Sequence, residues 1–196
     1  MQLDRSDDIV VCKREDYRIP FVEYYLTKFV EIGDAILEIG CGMGQYRMST
    51  QGFYVGLDVT NEPYGDIGPR VVDAVASGTD IPARAESFDF AFSVAALYQM
   101  TNPRRVLAEC YRILKPGGRV LLFDYNRRTQ KRLEVSEGHK RPCWTQWELK
   151  GLLQEAGFTE CQLLLPLCRD VNYVHRKIRL LQNELLGHWV IVTGTK

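Results

Sequence analysis

The chain has 196 residues, 45% of them hydrophobic and 26% charged, and Lys plus Arg equals Asp plus Glu at 25 each. That length supports one sizeable core and is short for two, so a single domain over residues 1–196 is expected. The balanced charge argues neither for wholesale nucleic-acid binding nor for an acidic partner, and any partner has to be read from local clusters.

The six cysteines, Cys12, Cys41, Cys110, Cys143, Cys161 and Cys168, make no C-x-x-C pair. They read as reduced small hydrophobes, which points to a cytoplasmic compartment. The opening MQLDRSDDIV has no basic stretch followed by an apolar core, and no apolar run approaches the roughly 20 residues of a membrane span, so a soluble protein is expected. No cluster of histidine and cysteine has metal-ligand spacing, and no metal is expected.

Residues 1–20 are polar and close on Ile19-Pro20, an arm ahead of the first regular element. Phe21, Val22, Tyr25, Leu26, Phe29 and Val30 recur at helical spacing, and Gly33-Asp34 ends that helix. Core packing is the first explanation for Tyr24 and Tyr25. The apolar run Ala35-Ile36-Leu37-Glu38-Ile39 is short enough for a buried parallel strand, and Gly40, Gly42 and Gly44 follow at alternating positions. Glycines there let the backbone turn sharply and let a ligand approach closely. A dinucleotide fingerprint needs its third glycine at position 45, which is Gln45, and a pyrophosphate is repelled by the carboxylate of Glu38. A cationic, phosphate-free cofactor suits the loop better.

These residues resemble motif I of the class I S-adenosylmethionine-dependent methyltransferases, Glu-x-Gly-x-Gly-x-Gly at the end of the first strand. The resemblance implies S-adenosyl-L-methionine as cofactor, held here by Glu38, Gly40, Cys41, Gly42 and Gly44. After Gly44 the following helix is compressed into residues 45–50, and Gln51-Gly52 turns the chain into a second strand, Phe53 to Asp58. Asp58 lies eighteen positions after Gly40, where a carboxylate accepts hydrogen bonds from both ribose hydroxyls. In the family this acid holds the cofactor's ribose, with Val59 beside it.

Residues 60–70 are crowded with turn formers, and Val71 to Val75 reads as a third strand. Many family members then carry Asp-Ala-x-x-Leu-Pro, whose acid lies near the adenine amino group. Aligning Ile81-Pro82 puts Ser77 at that place, with Gly78 next to it, and Asp80 is the alternative acid. Ser87-Phe88-Asp89 matches the family's motif before the fourth strand, which runs to Val94 and includes Ser93 as a cofactor contact. Beyond it, Tyr98 stands as a cofactor-packing ring or an acceptor wall. The Asp/Asn-Pro-Pro-Tyr/Phe of enzymes that methylate base amines or glutamine amides is missing there.

Asn102-Pro103 caps a helix with Val106, Leu107, Cys110, Tyr111 and Leu114 on one face. Lys115-Pro116-Gly117-Gly118 ends it and starts the strand Arg119 to Tyr125. The pattern Glu109-x-x-Arg112-x-Leu114-Lys115-Pro116-Gly117-Gly118 is a family marker with an architectural role. Residues 126–143 carry Arg127, Arg128, Lys131, Arg132, Lys140 and Arg141, which read either as a solvated face or as a lid over an anionic acceptor. His139 within it is a candidate base or a surface donor. Thr145-x-x-Glu148 is a capping box before a helix ending at Ala156-Gly157-Phe158. Cys161 to Leu165 reads as a sixth strand, Val171 to Leu185 as a helix bearing the basic residues Arg169, His175, Arg176, Lys177 and Arg179, and His188 to Thr193 as a last strand.

The resemblance implies an α/β fold: a Rossmann-like, doubly wound, seven-stranded and mostly parallel sheet with an antiparallel last strand, helices on both faces. It implies methyl transfer by in-line attack of an acceptor on the sulfonium methyl, without need of a dedicated catalytic side chain. A small-molecule acceptor is favoured because the chain is barely larger than the core fold. The alternatives are an RNA or protein acceptor, suggested by the basic clusters, and a non-catalytic cofactor-binding subunit of a complex.

Overall fold

The computed structural model describes residues 18–63, 69–129, 142–164 and 189–196. The chain runs α1 (Arg18–Phe29), β1 (Ala35–Ile39), β2 (Phe53–Asp58), β3 (Ala74–Val75) and β4 (Phe88–Val94). It continues through α2 (Pro103–Ile113), β5 (Leu114–Tyr125), α3 (Gln146–Glu155), β6 (Thr159–Leu164) and β7 (Trp189–Thr195). The strands form one seven-stranded sheet in the order β3-β2-β1-β4-β5-β7-β6, parallel except that β7 lies antiparallel to β5 and β6.

Alternation along each strand explains the layers, because successive side chains leave a strand on opposite faces. Ile36, Phe90, Phe92, Leu121 and Phe123 pack with Phe21, Val22, Tyr25 and Leu26 of α1. Leu37, Ala91, Val120 and Leu122 point the other way, against Val106 and Leu107 of α2 and Leu149 and Leu153 of α3. Tyr24 and Tyr25 meet edge to face at 5.1 Å and Tyr25 stacks on Phe29, so these rings belong to helix packing.

Several boundaries differ from those expected. The helix α1 begins at Arg18, inside the expected arm, since a proline in the first turn forfeits no intrahelical hydrogen bond. The expected strand from Val71 shrinks to Ala74–Val75. Asp73 is used instead as a side-chain acceptor, taking the Gly56 amide at 2.7 Å and the Arg47 guanidinium. Leu114 belongs to β5 rather than to the helix; it pairs with Phe88, and a register shift before the Phe90 and Arg119 pair absorbs Lys115 to Gly118. The compressed segment after Gly44 is a single 3-10 turn, Arg47–Ser49. Both expected caps form: Asn102 accepts the Arg105 amide at 3.1 Å, and Thr145 and Glu148 exchange side-chain and backbone bonds. The expected helix from Val171 to Leu185, with its basic cluster, lies outside the described residues, as do Lys131, Arg132, His139, Lys140 and Arg141.

The family-marker residues work at the end of the sheet away from the glycine loop. Asp89 accepts the first amide of β1, Ala35 N–H, at 2.9 Å, and both its oxygens take Lys115 Nζ at 2.8 Å. Glu109 is buried on α2; it accepts Ile81 N–H and the Arg112 guanidinium, which also donates to the Ile81 and Ala83 carbonyls at 2.9 and 2.8 Å. The marker therefore fixes the Ile81-Pro82 turn as well as the approach to β5.

Candidate active site

The parallel strands end at one rim, and there β1 has β2 on one side and β4 on the other. Loops leaving such a reversal of strand order splay apart and open a crevice. A cavity of about 720 Å³ occupies it, bordered by Glu38, the glycine loop, Asp58, the segment Ala76 to Thr79, Tyr98 and Tyr125.

The loop is held from beneath. The Gly40 and Cys41 amides both donate to Leu57 O, at 2.8 and 3.1 Å. Gly40 has φ +76°, and a Cβ there would stand 2.4 Å from Ala96 Cβ, so only glycine fits. Gly42 has φ +52° with open space where a Cβ would be. That room, on the cavity wall, is what a ligand lying against the backbone requires. Gly44 faces Val71 and is not on the cavity wall; its part is to turn the chain.

Asp58 ends β2 and is buried. One carboxylate oxygen accepts Val59 N–H at 2.8 Å; the other accepts Gly42 N–H at 2.9 Å and Arg70 Nη1 at 3.0 Å. Strand end and glycine loop are thus tied through the acid expected to hold a ribose, and Val59 joins the same wall. Glu38 is buried at 2% exposure and accepts the Tyr54 hydroxyl, whose ring carries the Arg47 guanidinium 4.6 Å above it. Burial raises the Glu38 carboxyl to about 8 against the opposing Tyr54 hydrogen bond and Arg47 charge. At neutral pH it is largely neutral until a cation arrives. Burial likewise pushes the Cys41 thiol up to about 12, so it lines the cavity as an unreactive thiol.

Ser77 and Gly78 lie on the cavity wall next to Thr79, and Asp80 does not. Ser77 exchanges a hydrogen bond with the Thr79 hydroxyl at 2.8 Å. Ser93 departs from expectation: its hydroxyl donates to Ile39 O at 2.9 Å, stitching β4 to β1 within the sheet, and it does not line the cavity. Tyr98 does line it. Its ring meets Tyr125 edge to face at 4.9 Å, and Tyr125 stacks on Trp189 at 4.3 Å. Arg127 and Arg128, expected at an acceptor, are off the cavity wall. Arg127 pairs with Glu148 at 2.8 Å and donates to Cys143 O, so it clasps the start of α3, while Arg128 is exposed.

Four residues of the site escaped sequence reasoning. Arg70 sits in a turn-rich segment with nothing in the sequence to direct it at Asp58. Tyr54 reads only as a strand residue. Tyr125 could have been found, because it closes β5 at the rim where Asp58 closes β2. Asp124 is buried and accepts the Tyr98 and Tyr125 amides at 3.0 and 2.6 Å; burial raises its carboxyl to about 7 against these bonds. It holds both aromatic residues from behind. Ala95, with φ 50°, carries the turn from β4 toward Tyr98, a left-handed conformation that non-glycine residues seldom adopt. Among the described residues no group of three or more His, Cys, Asp or Glu is placed to hold a metal, and no helix is long and apolar enough to cross a membrane.

The sequence profile of the methyltransferase domain family matches residues 37–122, which hold the glycine loop, Asp58, Ser77 and Tyr98. Residues 37–122 belong to the methyltransferase domain family. Within it, a Schizosaccharomyces pombe tRNA (carboxymethyluridine(34)-5-O)-methyltransferase is 30% identical over 139 residues, 67% of this chain and 59% of the relative. The 27-O-demethylrifamycin SV methyltransferase of Amycolatopsis mediterranei is 30% identical over 106 residues, 47% of this chain and 39% of the relative. The chain thus spans less than two thirds of the length of either. A SAM-dependent methyltransferase from Archaeoglobus fulgidus has the same fold, with a TM-score of 0.68 at 15% identity, covering 93% of this chain and 96% of that one. The family's cofactor is S-adenosylmethionine. The donor set fits it: an acceptor-only carboxylate for a diol, an acid for an ammonium, and a bare glycine where the backbone must be approached.

Proposed function

We propose that this chain is an S-adenosylmethionine-dependent methyltransferase whose cofactor occupies the cavity at the rim of β1, β2 and β4. The observation that carries the reading is the Asp58 carboxylate, anchored by two backbone amides and set on the cavity wall beside the open face of Gly42. Glu38, Gly40, Cys41 and Gly42 receive the amino-acid end, Asp58 and Val59 the ribose, and Ser77 and Gly78 the adenine edge. The Ser77 hydroxyl accepts one hydrogen bond and supplies no charge, so adenine recognition leans on shape and backbone. When bound, the cofactor supplies a methyl group already activated by its sulfonium. The chain's own contribution would be to hold the cofactor in the cavity, where Tyr98 and Tyr125 line the wall, and to exclude water there.

A small acceptor, bounded by Tyr98, Gln99 and Tyr125, is the first reading. An RNA acceptor is the second, supported by the tRNA-modifying relative. The two relatives described above act, by name, on an oxygen, which makes a hydroxyl or carboxylate the acceptor group to assay first. Calorimetric titration with S-adenosylhomocysteine and with NAD tests the cofactor. The proposal expects binding of the first alone, weakened about tenfold to a hundredfold in Asp58→Ala by loss of a charged hydrogen-bonding group. An NAD isotherm with no heat from S-adenosylhomocysteine overturns it.

A further inference from the structure

Side chains two apart on a strand share a face, so Ile36 and Glu38 of β1 stand on the face that Tyr54 and Gly56 of β2 share. In the register of the two strands Ile36 is opposite Tyr54 and Glu38 is opposite Gly56. Gly56 carries no side chain, and a Cβ there would stand 3.2 Å from Tyr54 Cε1 and 2.9 Å from Cys41 Sγ. The Tyr54 ring uses the room that this glycine leaves, and its hydroxyl reaches past Gly56 to donate to Glu38 Oε2.

The ring is braced in that position. Tyr54 is buried, its ring centroid 6.4 Å from that of Phe92, and the Arg47 guanidinium lies 4.6 Å above it. Arg47 is itself paired with Asp73, whose carboxylate also accepts Gly56 N–H at 2.7 Å. Burial and the neighbouring Glu38 charge hold the Tyr54 phenol well above its ordinary range. It therefore remains a hydroxyl, and a donor, at any pH at which the protein works.

We infer that Tyr54, braced by Arg47, is the positioning residue for the amino-acid end of the cofactor site: its hydroxyl holds Glu38 by one oxygen and favours the ionised carboxylate that an ammonium group needs. The inference rests on the reading of Glu38 as the ammonium partner.

The groups around Glu38 pull in opposite directions. Burial and the Asp58 charge disfavour its ionised form, while the Tyr54 hydrogen bond and the Arg47 charge favour it. The Cys41 thiol beside them, pushed up to about 12, stays uncharged. Removing the Tyr54 hydroxyl leaves burial and Asp58 less opposed, so Glu38 then ionises at higher pH and a cationic ligand has to displace a more tightly held proton. Phenylalanine at position 54 keeps the ring between Phe92 and Arg47 and loses only the hydrogen bond. A packing role alone would leave the pH response of binding where it is.

The test is calorimetry of wild type, Tyr54→Phe, Arg47→Gln and Glu38→Gln with S-adenosylhomocysteine over the range from about pH 6 to about pH 9. Methylthioadenosine, which lacks the ammonium group, is the control. Tyr54→Phe is expected to move the rise in affinity upward by about one pH unit and to weaken binding about tenfold at neutral pH, as a carboxylate losing a hydrogen bond should. Proton release on binding at about pH 8 should grow from about half a proton per ligand in wild type toward one in the variant. Methylthioadenosine should bind wild type and Tyr54→Phe alike. Arg47→Gln, which removes the brace and its charge, should shift the profile the same way by less; it carries the test if Tyr54→Phe does not fold, and an unchanged profile there overturns the inference. If Glu38→Gln loses the pH response while Tyr54→Phe and Arg47→Gln keep the wild-type profile, Tyr54 serves packing alone and the reading of Glu38 stands. If Glu38→Gln binds S-adenosylhomocysteine as wild type does, the reading of Glu38 falls and the inference falls with it.

Discussion

The two glycines Gly40 and Gly42 should respond to the same substitution in opposite ways. In Gly40→Ala the new Cβ would lie 2.4 Å from Ala96 Cβ, whereas carbons rest about 3.5–4.0 Å apart. Ala96 has no side-chain torsion with which to retreat, so the turn after β4 must move by about 1 Å, an overpacking cost of about 1–3 kcal/mol. The left-handed φ of +76° adds strain of about 1–2 kcal/mol. Together these give about 2–5 kcal/mol, or a melting temperature lowered by about 4–20 °C for a domain of this size. Gly42→Ala meets no atom within 4 Å and carries only the φ penalty, about 1–2 kcal/mol. Its methyl group enters the space assigned to the cofactor and should weaken S-adenosylhomocysteine binding by about tenfold or more. Urea melts and calorimetry on both variants separate the two effects. A Gly42→Ala protein that binds like wild type would refute the placement of the cofactor. A Gly40→Ala protein as stable as wild type would refute the tight contact with Ala96.

Burial raises the Glu38 carboxyl to about 8, and a cationic ligand favours its ionised form. Cofactor affinity should therefore rise as pH is raised toward about 8 and level off above, with proton release at neutral pH seen in buffers of different ionisation enthalpy; a flat profile counts against Glu38 as the ammonium partner. Asp124, raised from 3.8 to about 7, binds an extra proton in the folded state across that window. Its contribution to stability is present at low pH and lost as pH rises through about 7, so the melting temperature should fall over that range and fall less in Asp124→Asn, an expectation that parallel curves would contradict. Arg112→Met leaves Glu109 buried beside a weaker partner, Arg105 at 3.4 Å, and should cost about 3 kcal/mol in urea denaturation. The double change with Glu109→Gln should be the less harmful, and equal losses would show that Arg112 acts through its carbonyl bonds alone.

Features set by local chemistry were legible before the structure. Glycines at 40, 42 and 44 after an apolar run, Asp58 at the next strand end and the Thr145 capping box each depend on residues close in sequence. The compression of the helix after Gly44 was legible too, because Gln51-Gly52 leaves it little room, and it is reduced to the 3-10 turn Arg47–Ser49. What was hidden depends on contacts across the sheet. Val71 to Asp73 has strand-like composition, yet the Asp73 carboxylate is drawn to Gly56 and Arg47, and tertiary demand overrides propensity. Ser93 occupies a plausible site position, but only the register of β4 on β1 reveals that its hydroxyl faces Ile39 O. Arg127 resembled an acceptor-binding cation until Glu148, twenty-one positions later, was seen to hold it.

The place of β7 has a kinetic consequence. It is the last strand in the sequence, yet it lies between β5 and β6, with seven residue pairs to the first. Among the described residues, β6 pairs with no other strand. During synthesis, then, β5 presents an unpaired apolar edge and β6 has no ladder to join until residues 189–195 clear the ribosome. Such an edge is a template for association with another chain. Pausing late in translation, or truncation just before Trp189, should send the nascent protein toward chaperones or aggregates, even though the glycine loop and Asp58 were made long before.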